Sequence, residues 1–224
     1  MSESIFKENL FEGKKVFITG GATGMGLGFA KAFLEHGADV LIASRKEENL
    51  SKAASEIKEQ TGKTLHWKMM DVRNNETVEE VAKYIKDKWG YLDVLVNNAA
   101  GNFVTPAAAM SENAWRAVID IVLDGTFRVS KACYPLLRNN EEGSSIVNII
   151  ANYAWGAAPF VAHSGAAKAG VLNLTRSLAL EWSDDNIRVN AMCPGVVLTD
   201  NVKKNLMLDE SVVKSFESNI PAGG

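Results

Sequence analysis

Cysteine is scarce in this chain, and what there is makes no pattern: Cys133 and Cys193 stand far apart in apolar sequence. That argues against a disulfide scaffold and a thiolate metal site, predicts a reducing compartment, and leaves both thiols as small buried apolar groups. Long hydrophobic runs are missing as well. No uninterrupted apolar stretch approaches the roughly 20 residues that span a bilayer, and MSESIFKENLFEGKK at the N-terminus carries acids but no apolar leader core. No basic run with interleaved aromatics is present, and a net charge of -3 gives no reason to expect nucleic acid. A small-molecule ligand is the default that remains. Repeats, low-complexity segments and linkers are also lacking.

What is present is material for one core. The 224 residues are 46% hydrophobic and 23% charged, which suits a single sizeable domain and argues against a second. Strand-like apolar runs occur at Lys15–Thr19, Asp39–Ser44, Leu65–Met70, Leu92–Val96, Ile146–Ile150 and Ile187–Met192. Between them lie segments of helical spacing: GFAKAFLEHGA with its stop at Gly37, ENLSKAASEIKEQTG, ETVEEVAKYIKDKWG, one long helix from about Glu112 to Leu137, and a last one reaching Trp182. Such alternation makes βαβ units. The expected fold is α/β: a Rossmann-like, doubly wound parallel sheet with helices on both faces, as one domain over residues 1–224.

The turn Thr19 to Gly28 joins the first strand to the first helix. There Gly20, Gly24 and Gly26 let the backbone turn tightly and approach a pyrophosphate at the positive end of the helix dipole. Their TGxxxGxG spacing is one residue longer than the commonest dinucleotide motif, and its position between strand and helix gives it weight.

With Thr19-Gly20-Gly21-Ala22-Thr23-Gly24-Met25-Gly26, then Asp71-Val72, Asn97-Asn98-Ala99-Ala100-Gly101, Lys168 and Pro194-Gly195 in that order, the chain resembles the short-chain dehydrogenase/reductase family nearly end to end. The resemblance implies that Gly20, Thr23, Gly24, Met25 and Gly26 hold the cofactor phosphates, that Asp71 bonds the adenine amino group and Val72 flanks the ring. Asn97 would support the central strand, with Asn98, Ala99 and Ala100 along the cofactor; Pro194, Gly195, Val197 and Thr199 would lie near the nicotinamide, Thr199 at its amide. At the end of the second strand stand Ser44, Arg45 and Lys46. A ribose 2'-hydroxyl wants an acid there and a 2'-phosphate wants a guanidinium, so the expected cofactor is NADPH. Family members are usually tetrameric through their long middle helices, so a homotetramer is expected. They also usually continue past the equivalent of IPAGG, which leads to the expectation that a C-terminal helix and strand are lacking here.

One departure from the family pattern directs the functional reading. Most members carry a Tyr four residues before the active-site Lys and a Ser thirteen before that Tyr; here those positions hold Ser164 and Ala151. Ordinary ketone reduction needs an acid at the carbonyl oxygen, and neither residue supplies the phenol. Tyr153 instead stands fifteen residues before Lys168, in NYAWGAAPFVAHSGAAKAG, and this placement is similar to that of the 2,4-dienoyl-CoA reductases of the family, as is Asn102-Phe103 after the Asn-Ala-Gly motif. In a conjugated dienoyl thioester the hydride adds at the far end of the diene while charge collects on the thioester oxygen. A phenol displaced along the loop suits that remote oxygen. Lys168 would hold the nicotinamide ribose and add positive field.

The second donor is open. The family's helix Asn is Val122 here, and Asp124 stands just before Gly125, where mitochondrial-type dienoyl-CoA reductases have an Asn. An ionised Asp only accepts; Asp124 serves if protonated in an apolar site or through a water, and otherwise faces solvent or caps a turn. Phe103, Trp155 and Phe160 are candidates for an acyl channel or for core, Arg128 and Lys131 for CoA phosphates or a solvated face, and His163 reads first as a packing or surface residue. No metal is expected. The resulting expectation is an NADPH-dependent 2,4-dienoyl-CoA reductase of unsaturated fatty acid β-oxidation with an acyl-CoA substrate. The alternatives are a trans-2-enoyl-CoA reductase, which HSGAAKAGVLNLT also resembles, and a catalytically silent NADP(H)-binding oligomeric protein. A soluble intracellular location is expected, cytoplasmic in a prokaryote and mitochondrial or peroxisomal otherwise.

Overall fold

In a computed structural model, which describes residues 6–195 together with 197 and 199, six strands form one parallel sheet. The elements are β1 (Lys15–Thr19), α1 (Gly24–Glu35), β2 (Asp39–Ser44), α2 (Glu47–Thr61), β3 (His66–Met69), α3 (Asn75–Trp89), β4 (Val94–Asn97), α4 (Glu112–Ile119), α5 (Gly125–Arg138), β5 (Ser144–Ile149), α6 (Ala162–Glu181) and β6 (Ile187–Met192). Strand order is β3-β2-β1-β4-β5-β6, so the chain winds outward in both directions from β1 and β4. The expected C-terminal ending falls on residues outside those described. None of the described helices is long and apolar enough to cross a membrane.

The two-residue period of the strands sorts the apolar residues into two cores. Val16, Ile18, Val40, Ile42 and Val96 point to one face and meet Ala30 and Leu34 of α1 and Leu50, Ala53 and Ile57 of α2. Phe17, Leu41, Leu95 and Ile146 point to the other and meet Val78, Val81 and Ile85 of α3 and Val129, Cys133 and Leu137 of α5. Local signals set helix ends: Asn74 Oδ1 accepts from Glu76 N at 2.8 Å at the start of α3, and Gly62 and Gly90 close α2 and α3 in the left-handed region, with φ of 70° and 79°.

β3 is one residue shorter than expected at each end, β5 begins two residues earlier, at Ser144, and ends one earlier, at Ile149, and three further differences have a local reason. First, α1 begins at Gly24, so the glycine-rich stretch is already helix. Second, β4 begins at Val94, because Leu92 N bonds Leu136 O and Asp93 turns its carboxylate onto Lys15 N at 2.7 Å. Third, the long middle helix is α4 and α5 joined through one wide π-helical turn, Asp120–Asp124. Gly125 N reaches back five residues to Asp120 O, and Thr126 Oγ1 donates to Val122 O at 2.7 Å. Gly125 is needed there: a Cβ would stand 2.7 Å from Val72 Cγ2.

A buried polar chain ties the two central C-terminal strand ends to two helices. Asn97 Nδ2 donates to Ser130 Oγ and to Asn148 Oδ1, both at 2.9 Å; Asn148 Nδ2 donates to Thr175 Oγ1 at 2.9 Å, and Thr175 Oγ1 to Val171 O at 2.7 Å. Asn97 and Asn148 are cross-strand partners, and Asn148 has no exposed surface. Removing one member strands buried partners. Asn148→Leu is therefore expected to lower the unfolding free energy by about 2–3 kcal/mol, read as an earlier urea midpoint at unchanged slope; an unshifted midpoint would show that the chain of bonds carries no net stability.

Candidate active site

Strand order reverses between β1 and β4, and at that switch point the loops leaving the two C-terminal ends splay to opposite faces and open a crevice. Thr19, at the end of β1, holds both loops: its Oγ1 accepts from Asn98 N and Ala99 N, each at 3.0 Å. Asn98 returns the contact, its Nδ2 donating to Thr19 O and Gly20 O at 3.1 Å. Asn98 thus clamps the glycine turn, and Ala99 and Ala100 carry the chain onward along the crevice, Ala100 exposed.

The glycine turn fits a dinucleotide pyrophosphate by its geometry. Gly20 has φ +63° and Gly24 φ +55°, while a Cβ at Gly26 would lie 2.3 Å from Gly20 O and 2.6 Å from Asn98 Nδ2. The first turn of α1 has no side-chain cap and no acid, so its amides and dipole face the crevice uncompensated. Thr23 is exposed and Met25 packs against the core beneath. Pro194 is half-buried and Gly195 exposed; Thr199 N bonds Val197 O at 2.9 Å, and the Thr199 methyl stands 3.4 Å from the Cβ position of Gly24. Gly24 of the phosphate turn and Thr199, 175 residues apart in sequence, therefore meet.

At the end of β2, Ser44 is half-buried while Arg45 and Lys46 are exposed. Lys46 Nζ lies 3.8 Å from Glu48, a solvated pair of little energetic weight. Arg45 has no ion-pair partner among the described residues. Asp71 is engaged in a way its sequence motif does not reveal: the Arg73 guanidinium grips its carboxylate through Nε at 3.0 Å and Nη2 at 2.5 Å, and Arg73 N adds a third bond at 3.0 Å. Those bonds hold the Asp71 carboxyl below its ordinary range, with the charge of Arg45 contributing. Val72 is buried against Gly125.

Opposite lies the catalytic candidate. After β5 the chain makes one 3₁₀ turn, Asn152–Ala154, that carries Tyr153, and then a loop leading to α6. Helical spacing puts Ser164 and Lys168 one turn apart on a single face of α6. Tyr153 Oη and Ser164 Oγ are 3.3 Å apart. The phenol from the loop thereby reaches the helix position four residues ahead of the lysine. Lys168 is 8% exposed and donates to Ile149 O at 2.5 Å. Burial without a carboxylate beside it pushes its pKa down to about 8, the nearby Cys193 thiol working weakly in the other direction. Burial likewise pushes the Cys193 thiol up, against the pull of Lys168.

The remaining candidates divide. Val122 packs with Ile150, Ala154, Ala167 and Val171, an apolar patch with no donor. The polar contacts of Asp124 run to Asp120 and to Arg128, the latter at 3.8 Å, and do not include Tyr153, Ser164 or Lys168. Burial first, then the hydrogen bond with Asp120, raise its carboxyl pKa, while Arg128 opposes. Asn102, Phe103, Trp155 and Phe160 are exposed on the two loops above the crevice. Thr105 N donates to Phe160 O at 2.9 Å, joining those loops, and Phe160 holds a left-handed φ of +64°. His163 is the residue that sequence reasoning passed over. It is fully buried, its Nδ1 accepts from Ser164 N at 2.9 Å, and its Nε2 has no partner among the described residues. Its adjacency to Ser164 was the one available signal. No group of three or more His, Cys, Asp or Glu among the described residues could hold a metal.

Comparison with known proteins gives a consistent result. The profile of the short chain dehydrogenase family matches residues 14–208. A probable 2,4-dienoyl-CoA reductase [(2E)-enoyl-CoA-producing] of Bacillus subtilis (strain 168) is 41% identical over 213 residues, 95% of this chain and 84% of that protein. The peroxisomal 2,4-dienoyl-CoA reductase [(3E)-enoyl-CoA-producing] of Rattus norvegicus is 40% identical over 86% of this chain, which spans 66% of that protein's length. Among solved structures, a gluconate 5-dehydrogenase from Burkholderia cenocepacia in complex with NADP and tartrate superposes with a TM-score of 0.87 at 27% identity, covering 96% of this chain and 84% of that one.

Two outcomes follow from the geometry. Gly26→Ala is expected to weaken binding of a nicotinamide dinucleotide at least tenfold in a fluorescence titration, with an unaltered far-ultraviolet spectrum, because the added methyl meets Gly20 O; parent-like affinity would refute the close approach. Lys168 carries a folded pKa of about 8 against an ordinary 10.5, so the unfolded chain binds more protons between those values and stability rises with pH across that window. Lys168→Met should accordingly melt above the parent at pH 7, with the advantage shrinking as the pH is raised from 8 to 10.5.

Proposed function

The chain belongs to the short chain dehydrogenase family, and from that premise we propose that it is an NADPH-dependent 2,4-dienoyl-CoA reductase, acting on conjugated acyl-CoA thioesters from unsaturated fatty acids. The observation that carries the proposal is the 3.3 Å approach of Tyr153 Oη to Ser164 Oγ, one helical turn from Lys168. It supplies a phenol to the helix face that would otherwise hold none, from a direction displaced along the loop. The names of the relatives at about 40% identity support the same substrate class. The cofactor is a nicotinamide dinucleotide, and its choice of phosphate rests on Arg45: a guanidinium at the end of β2 with no ion-pair partner among the described residues, and with no carboxylate in Ser44-Arg45-Lys46, suits the 2'-phosphate of NADPH.

Bound there, the cofactor supplies a hydride to the far carbon of the diene. The displaced electron pair runs through the conjugated system to the thioester oxygen. Tyr153 Oη donates to that oxygen as a neutral acid, and a donor of this kind is worth about two to three orders of magnitude in rate. Ser164 orients the phenol. Lys168, held by Ile149 O, binds the ribose hydroxyls and adds positive field that no carboxylate among the described residues cancels. A proton from water then completes the reduction on carbon. Asp124 takes part only in its protonated form, toward which its burial and Asp120 incline it. Asn102, Phe103 and Trp155 line the approach of the acyl chain, and Pro194, Gly195, Val197 and Thr199 close over the nicotinamide end. The working assembly in this proposal is a homotetramer.

NADPH oxidation followed by absorbance tests the proposal with a 2,4-dienoyl-CoA, a trans-2-enoyl-CoA and a simple ketone. Turnover confined to the dienoyl thioester is expected; preference for the enoyl thioester would replace the proposal with a trans-2-enoyl-CoA reductase, and NADPH binding without turnover would leave a silent dinucleotide-binding protein. Tyr153→Phe should cut kcat by about 100-fold or more at nearly constant NADPH affinity, and an unaltered kcat would remove the oxyanion role. Arg45→Ala should weaken NADPH far more than NADH; equal losses would contradict the phosphate contact.

A further inference from the structure

A dienolate oxygen wants two donors, and the two helix positions considered for the second are poorly equipped: Val122 lies in an apolar patch, and Asp124 is a carboxylate occupied with Asp120 and Arg128. His163 has what they lack. Its Nδ1 accepts the Ser164 amide proton at 2.9 Å, and this acceptance requires the neutral ring with its hydrogen on Nε2. The amide belongs to the first turn of α6. The Nε2–H is buried with no partner among the described residues, a condition that costs about 1–3 kcal/mol unless something relieves it. Burial does not remove His163 from the site, since Ser164 and Lys168 are themselves only 2% and 8% exposed.

It stands in the first turn of the catalytic helix and packs against the loop that follows Asn97–Gly101. The Phe103 ring stands against the imidazole, centroids 4.6 Å apart at 80°, and is itself 41% exposed on that loop. On the other side the next residue, Ser164, meets the Tyr153 hydroxyl. We propose that His163 is a second donor to the substrate: its neutral imidazole, locked as the Nε2–H tautomer by the α6 amide, donates to the thioester oxygen alongside Tyr153 Oη once the Phe103 ring swings aside. A neutral imidazole fixed by a helix N-terminal amide is a known way to polarise a carbonyl without presenting a full charge. The proposal rests on the acyl thioester reading given above.

Two isosteres separate the ring nitrogens. His163→Asn keeps an oxygen where Nδ1 accepts the Ser164 amide and leaves nothing at the outer position; His163→Gln places an N–H near Nε2 and gives up the inner acceptor. If Nε2–H contacts the oxygen, kcat falls about 100-fold or more in His163→Asn and by less than tenfold in His163→Gln, with NADPH affinity unchanged in both. The reverse order, Asn active and Gln inactive, would reduce His163 to a helix cap and overturn the proposal. A readout independent of turnover uses the parent protein saturated with NADP+, which cannot deliver hydride: the imidazole Nε2–H proton resonance, assigned by its loss in His163→Asn, should move downfield when 2,4-hexadienoyl-CoA is added. A shift without turnover would sink the reductase reading and keep the donor; turnover without a shift would do the opposite.

Discussion

One hydroxyl holds the crevice open. Thr19 is 1% exposed, and its Oγ1 accepts the amides of Asn98 and Ala99 while lying 3.5 Å from Val96 O. At a switch point two adjacent parallel strands end together and their chains must part, leaving amides after β4 and carbonyls after β1 that no further strand can pair. Thr19 answers that need for β4, and Asn98 answers it for β1. Everything that would bind the dinucleotide is set by where these two residues fix the loops: the tilt of α1, the close seat of Gly26 on Gly20, and the path that Ala99 and Ala100 take away from the sheet.

The other half of the crevice works by exclusion. Lys168, Ser164 and His163 form a floor that is almost dry, and no carboxylate among the described residues pairs with the ammonium. An ammonium kept so is costly, and its field is correspondingly little screened. The acids of the middle helix, Asp120 and Asp124, are turned toward Arg128 instead. Among the described residues charge is thereby sorted, positive and hydrogen-rich groups inward and these two acids away from them, the arrangement that suits a reaction building negative charge on oxygen.

Much of this was legible in the sequence. β1, β2 and β6 begin and end where expected, β1 and β2 because their middle positions are buried and apolar without a break, and β6 because Ile187 and Val189 are buried in alternation with exposed Arg188 and Asn190. The spacing of Tyr153 to Lys168 was equally plain. What spacing does not carry is direction: that the phenol meets Ser164, that Arg73 takes the Asp71 carboxylate, and that His163 lies fully inside are consequences of packing between distant segments. The π-helical turn escaped for a different reason. A single extra residue rotates a helical pattern by about 100°, and the apolar residues on either side of Asp120–Asp124 tolerate that rotation without breaking the stripe.

That extra residue makes the middle helix two phases of one rod. Positions counted forward from Glu112 and positions counted back from Gly125 point in different directions around its axis, so distance in sequence from Gly125 is the sounder ruler for comparing this chain with its relatives. The same wide turn also offers a simple evolutionary handle. Losing one residue between Asp120 and Asp124 would restore a regular helix and swing Val122 relative to α6 without touching the sheet, so a family could exchange which side chain faces the reacting oxygen by a single-codon deletion instead of by substitution.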